Sequence, residues 1–187
     1  MKKKKDWQLL KKESAIDLGI LHIHHHYYKN PRNEKIVKTV AIEAQDAANV
    51  IALTKDKKVI MVKQFRFGIG DYTLEIPGGL VDKGEDMLTA AKRELQEETG
   101  YAGTNWRAIG KILSNPVFMN SYVHHYIAYE VSKQFDLNLD DGEQVEIQEV
   151  SIPTAFQYIQ EGIIQHPHTI TAFHFAKEEL LEVMRGY

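Results

Sequence analysis

Apolar and polar positions change their period several times along the chain. In the first forty residues they alternate, with Ile20, Leu21 and Ile23 beside polar neighbours and His22, His24 and His26 interleaved. A period of two is that of a strand with unlike faces, so this region reads as strands. The Asn30-Pro31-Arg32-Asn33 cluster predicts a turn. The β-branched run from Ile36 to Ile42 predicts the returning strand. Further on, Val50–Thr54 and Val59–Val62 flank the polar stretch Lys55–Lys58, which is a hairpin pattern. A strand is also predicted over Tyr72–Ile76, ended by Pro77-Gly78-Gly79.

From Glu85 to Thr99 the period becomes helical. Leu88, Ala91 and Leu95 fall on one side, and Gly100 supplies a C-terminal stop. Strand character returns over Tyr122–Val131, and helices are predicted over Thr154–Gln160 and Thr171–Met184. Strands, one central helix, strands and terminal helices predict a mixed α/β core rather than a regular βαβ array.

Composition narrows the function classes. The 187 residues, 43% hydrophobic and 26% charged, suit a folded core domain with at most a small appendage. A net charge of -3 gives no general attraction to nucleic acid. The absence of cysteine rules out disulfides and cysteine-based zinc sites, and a cytoplasmic setting is expected. The lysines of Met1–Asp6 precede no long apolar run, because Lys11, Lys12, Glu13 and Asp17 interrupt Trp7–Leu21. Neither a signal peptide nor a membrane-spanning helix is expected, and the lysine run reads as a solvated end. His22, His24 and His26 share a strand face that in principle suits a metal. A half-exposed face accounts for them as well, and His124, His125, His166 and His168 are read the same way.

The candidate chemistry lies between Gly78 and Tyr101. Glu94, Glu97 and Glu98 stand at i, i+3 and i+4, so on a helix they share an arc of roughly 100°. Three carboxylates so close repel one another unless water or cations relieve them. Their hard oxygens suit Mg²⁺, which takes few carboxylates and completes its shell with waters and phosphates. Ala90, one turn earlier, leaves room above that face. Leu88, Ala91 and Leu95 can anchor the helix to a sheet, and glycines at 78, 79 and 84 permit a tight loop. Taken alone, the three glutamates also fit a solvated acidic helix face.

Gly79, Glu85, Arg93, Glu94, Leu95, Glu97, Glu98 and Gly100 together resemble the Nudix hydrolase signature, G-x5-E-x7-R-E-U-x-E-E-x-G-U, where U is bulky and aliphatic. The one departure is Tyr101 at the last position, where a large, mostly apolar ring is expected to pack similarly. The resemblance implies the α/β Nudix fold, a mixed β-sheet sandwiched between helices. It implies that Glu94, Glu97 and Glu98 bind Mg²⁺, with Mn²⁺ a substitute, and that Gly78 adds its carbonyl. It also implies an Arg93–Glu85 ion pair that braces the loop against the helix.

Gln64-Phe65-Arg66 and Leu74-Glu75-Ile76-Pro77-Gly78-Gly79 resemble the ADP-ribose and nucleotide-sugar branch of that family. This implies substrate contacts from Arg66 and Glu75. Pro116 accompanies ADP-ribose-type specificity, while Ser114–Asn120 also resembles members that take GDP-mannose. Residues 1–45 resemble a small β-sheet domain exchanged across a homodimer, with 46–187 the catalytic domain. Trp7, Tyr27, Tyr28 and Phe65 are candidates to stack on a base, Tyr28 foremost. The family's proton acceptor lies in a loop before a late strand, which makes Glu143 the first candidate, with Asp141, Glu146 and Glu97 behind it. The expected activity is hydrolysis of a nucleoside diphosphate sugar to a nucleoside monophosphate and a sugar phosphate, with no nucleic-acid or membrane partner. The alternatives are a nucleoside triphosphate or capped-RNA pyrophosphohydrolase, and a non-catalytic nucleotide-sugar sensor.

Overall fold

A computed structural model describes residues 6–139 and 142–186. It divides into two compact units, one running up to Gln45 and including Leu113–Tyr122, the other containing Asp46–Ile112 and the residues from Val123 onward.

The first unit is a three-stranded antiparallel sheet in the order β1 (Gln8–Asp17), β2 (Leu21–Lys29), β3 (Ile36–Ala44). The β2–β3 register runs unbroken from Leu21↔Ala44 to Lys29↔Ile36. The turn between them is closed by Asn30 and Glu34, whose N–H donates to the Asn30 carbonyl at 2.8 Å. β1 slips register against β2 twice, between Leu9 and Lys11 and between Ser14 and Ile16. The Leu113–Tyr122 segment is tied to β3, where the Ile42 N–H donates to the Phe118 carbonyl at 2.6 Å. Ile16, Ile36 and Val40 of this sheet are each at least half exposed.

The second unit contains β4 (Ala47–Thr54), β5 (Lys58–Arg66), β6 (Asp71–Glu75), β7 (Gly78–Leu80), α1 (Met87–Thr99), β8 (Tyr101–Ala102), β9 (Asn105–Leu113), β10 (Tyr122–Lys133), β11 (Val145–Ser151), α2 (Ile152–Gln160), α3 (Pro167–Phe175) and α4 (Lys177–Arg185). The main path of its sheet is β11-β5-β4-β10-β8, with β6 beside β5, β7 beside β4 and β9 beside β10. β4 and β10 run parallel, and the other registered pairs are antiparallel.

The central strands are buried on both faces, which explains their continuous apolar runs. Alternate residues serve opposite sides. Ile51, Leu53, Val59, Met61 and Ile127 join Phe173 and Leu180 under α2, α3 and α4. Val50, Ala52, Ile60 and Ala128 meet Leu95 of α1 on the other side. Among the described residues no helix is long and apolar enough to cross a membrane.

β9 is not among the predicted elements, α2 begins two residues before the expected Thr154, and two further helices depart from the sequence expectation. The helix predicted over Thr171–Met184 is two helices, and Ala176, fully buried with φ -88° and ψ 1°, both ends α3 and begins α4. No glycine or proline marks this break, so tertiary packing sets it. The central helix begins at Met87 rather than Glu85, because the Asp86 side chain accepts the Leu88 N–H at 2.9 Å and caps it.

Leu95 is fully buried against Val50, Ala52, Ile60, Ala128 and Val131. Leu95→Ala is expected to lower unfolding stability by about 2–4 kcal/mol. Urea denaturation followed by circular dichroism checks this, and a loss well under ~1 kcal/mol would contradict the packing of α1 on the sheet.

Candidate active site

Glycines set the approach of β7 to its neighbours. Gly78 pairs with Asn49 and Gly79 with Ala48 on β4. A Cβ at Gly78 would lie 2.5 Å from the Asn49 Cβ, and one at Gly79 would lie 2.6 Å from the Glu94 carboxyl carbon. Only a bare backbone lets β4, β7 and the Glu94 carboxylate lie so close. α1 then ends at Gly100, in the left-handed region at φ 72°, whose N–H donates to the Gln96 carbonyl. Tyr101 follows, its ring packed beside the α1 core and its hydroxyl donating to Glu149 at 2.7 Å.

Arg93 gathers the acidic groups around it. Its Nη1 donates to Glu94 at 2.8 Å and Glu97 at 3.0 Å, while Nη2 reaches Glu85 and the Leu80 carbonyl, each at 3.0 Å. Its Nε adds a second bond to Glu85 at 3.1 Å. These bonds, those to Glu85 first, raise its pKa further. Glu98 faces inward and is 2% exposed, accepting the Gly78 N–H at 2.9 Å and a Gln64 amide hydrogen at 3.3 Å.

Burial pushes Glu94 up to about 7, with the Arg93 charge opposing and Glu97 and Glu143 assisting. Glu98 is pushed up to about 8, again chiefly by burial, with the Gly78 N–H opposing and the charges of Glu94 and Glu143 assisting. Among the described residues no three acidic or histidine side chains are already arranged to hold a metal ion. The donor set nevertheless fits a hard divalent cation, because Glu98 is buried with no cation bonded to it and half-buried Glu94 shares Arg93 with Glu97 and Glu85. Glu94 and Glu97 would turn from Arg93 toward such an ion.

A second group lies at the junction of β5 and β6. Arg66 holds Glu75 in a two-point pair, Nε–Oε1 at 2.7 Å and Nη2–Oε2 at 2.6 Å, and Thr73 also donates to Glu75. Burial alone would raise Glu75, but Arg66, His166 and Thr73 together hold it below the ordinary range. Arg66 and Glu75 share one cleft with Asn49, Gly78, Gly79, His166 and His168. Arg66 also lines a second cleft with Phe65, Phe67, Tyr72 and Glu143.

The proton-acceptor candidates separate. The Glu143 charge acts on Glu94, Glu98 and Arg66. Glu146 lies on β11 opposite Lys63 and accepts from Gln148. Glu97 remains on α1 with Arg93, and Asp141 lies outside the described residues. Tyr28 and Pro116 belong to the first unit, where they line one cavity with His24, His26 and Phe118. Trp7 meets Tyr28 edge to face at 6.4 Å. The sequence reading did not single out Asn49 and set His125 and His166 aside. Only the pairing of β4 with β7 and the start of α3 reveal where these residues lie.

The NUDIX domain model matches residues 43–171. The chain is 33% identical over 155 residues to the ADP-ribose pyrophosphatase of Bacillus subtilis (strain 168), covering 82% of this chain and 84% of that one. It is 34% identical over 144 residues to the methanol dehydrogenase activator of Bacillus methanolicus, covering 76% and 78%. The crystal structure of an ADP compounds hydrolase shares the fold with a TM-score of 0.84, over 97% of this chain and 98% of that one, at 18% identity.

Glu94 and Glu98 bind protons more tightly in the folded than in the unfolded chain. Their contribution is full below the ordinary value of 4.5 and is lost as pH rises through about 7 and about 8. Burial of His125 and His166 acts oppositely, but only below their ordinary 6.5. In buffer free of divalent ions, the melting temperature should therefore fall from pH 6.5 to above 8. Calorimetry should show Glu98→Gln flattening that slope and added Mg²⁺ restoring stability most at the alkaline end. A rising melting temperature in the wild-type protein would contradict the buried-carboxylate account.

Proposed function

The chain belongs to the Nudix family as a pyrophosphohydrolase, and we propose that it cuts the diphosphate linkage of nucleoside diphosphate sugars, ADP-ribose foremost. The products are a nucleoside monophosphate and a sugar phosphate. The observation that carries this reading is the gathering of Glu94, Glu97 and Glu98 beside the Gly78-Gly79 strand, with Glu98 buried and without a bonded cation and Glu94 sharing Arg93 with its neighbours. Similarity to the Bacillus subtilis ADP-ribose pyrophosphatase supports the substrate class. GDP-mannose is the second candidate substrate, favoured by the Ser114–Asn120 segment.

Glu94, Glu97 and Glu98, with the Gly78 carbonyl, would hold Mg²⁺ or Mn²⁺. Such an ion neutralises charge that develops on the diphosphate and makes a water more acidic. Arg93, tied to Glu85 and the Leu80 carbonyl, fixes the base of the glutamate cluster. Arg66 presents a cation that Glu75 orients toward the phosphates. Glu143 accepts the proton as the water oxygen bonds to phosphorus. The bridging P–O bond breaks, and its oxygen leaves with the other phosphate.

The first unit has a separate proposed role. Its exposed apolar residues, among them Leu10, Ile16, Ile36 and Val40, fit association with a second copy of the chain. Sedimentation at micromolar concentration should give a dimer mass, and a strict monomer would remove this part of the proposal.

A panel of ADP-ribose, GDP-mannose and a nucleoside triphosphate, with products identified, tests the reading. ADP-ribose should give the highest kcat/KM and yield AMP and ribose 5-phosphate. Equal or better turnover of the triphosphate would overturn the substrate assignment. Glu98→Gln should lower kcat by about 100-fold or more with an unchanged circular dichroism spectrum. Glu143→Gln should lower kcat by about 100-fold with little change in KM, and wild-type rates would transfer its role to Asp141, Glu146 or Glu97.

A further inference from the structure

Glu98 is held from two directions by groups that carry no charge. Its Oε2 accepts the Gly78 N–H at 2.9 Å, and its Oε1 accepts a Gln64 amide hydrogen at 3.3 Å. We propose that Gln64 is a positioning residue for the ion site, fixing the Glu98 carboxylate without neutralising it, so that the site prefers Mg²⁺ to Ca²⁺. The inference rests on the reading above that Glu98 is a metal ligand.

The pattern of β5 marks Gln64 as out of place. It follows two positions after the apolar run Val59–Val62, and it is only 6% exposed. Side chains an even number apart on a strand share a face, so Gln64 lies on the side of β5 that carries Ile60, which packs with Leu95 of α1. An apolar side chain would continue that packing. A buried amide instead costs stability unless its polar atoms are bonded, and Glu98 takes one of its hydrogens.

The fold gives this amide a firm base. The Gln64 backbone pairs with Thr73 of β6 on one edge and with Val145 of β11 on the other. A side chain carried on a strand paired along both edges has little freedom to follow a moving partner. Glu98 comes from the last turns of α1, and Gly78 opens β7. Three separate elements therefore converge on one carboxylate, each contributing a group set by its own secondary structure.

The kind of donor matters as much as its place. Glu75 is held by the Arg66 guanidinium, and Glu85, Glu94 and Glu97 are held by that of Arg93. A guanidinium orients a carboxylate while cancelling its charge, and so competes with any incoming ion. Among the described residues the hydrogen bonds to Glu98 come from neutral donors, which orient it and leave its charge for the ion. Rigidity then becomes selectivity. Mg²⁺ demands a near-octahedral shell, whereas Ca²⁺ tolerates irregular arrangements of more oxygens. A carboxylate freed to swing therefore costs Mg²⁺ more than it costs Ca²⁺.

Thermal melting of the full chain, with each ion titrated in the absence of substrate, tests the assignment, because an ion that binds the folded state raises the melting temperature. Gln64→Met keeps the length of the side chain and removes the amide. It should need about tenfold more Mg²⁺ than the wild-type protein for the same rise, the scale of a lost orienting partner. Its Ca²⁺ requirement should change by less than about threefold, because that ion tolerates a displaced ligand. Gln64→Lys returns a donor to Glu98 but adds a charge, and should weaken both ions about tenfold or more. Gln64→Leu replaces Gln64→Met if melting curves show that variant unfolded. An equal loss of both ions in Gln64→Met, as a merely structural role would give, overturns the proposal, as does an unchanged Mg²⁺ requirement or full Mg²⁺ binding by Gln64→Lys. If the wild-type protein responds to neither ion, the metal-ligand reading fails with it. If the wild-type protein responds to Mg²⁺ and Gln64→Met matches it, the role of Gln64 alone fails.

Discussion

Repulsion among the carboxylates of α1 is the constraint around which the second unit is arranged. Glu94, Glu97 and Glu98 rise from successive turns of a helix whose other side is committed to the sheet through Leu95. The helix cannot rotate them into water without exposing that core. Arg93 relieves part of the strain by bonding Glu94 and Glu97 at once, and it is held there by Glu85 and the Leu80 carbonyl. Glu98 has no such cation and draws on the Gly78 N–H and the Gln64 amide. An acidic site of this kind exchanges stability for affinity toward a positive ion.

The glycines belong to the same arrangement. Gly79 lies so close to the Glu94 carboxylate that any side chain would displace it, and Gly78 lies equally close to β4. Removing two side chains brings a backbone N–H against Glu98 and places strand and helix within reach of a shared ligand. The sheet contributes stiffness, since β4 is paired on both edges and buried on both faces. A site built on such elements keeps its geometry better than one built on loops.

Much of this was legible in the sequence because it is local. The spacing of Glu94, Glu97 and Glu98 dictates a common helix face, and Gly100 dictates its end. The apolar run from Val50 and that from Val59 announce strands buried on both sides. Features that depend on distant partners were not legible. Ala176 breaks a helix with a residue that favours helices, because the packing of Phe173 and Leu180 demands a change of direction. β9 carries too few alternating apolar residues to announce itself. Leu113–Tyr122 joins the first unit through hydrogen bonds to Ile42, a partner more than seventy positions away. His166 looks like an ordinary surface histidine until Thr169 and Ile76 fasten it beside Glu75.

The two sides of the second unit also differ in charge in a way that orders a substrate. Glu98 has no bonded cation and Glu94 shares Arg93 with Glu97 and Glu85, and burial raises both carboxyls, which favours an added cation. Around Glu75 the charges cancel within the Arg66 pair, and burial lowers the pKa of His166 to about 4. Gly78 and Gly79 line the neutral cleft while touching the acidic cluster, so they mark the boundary between the two.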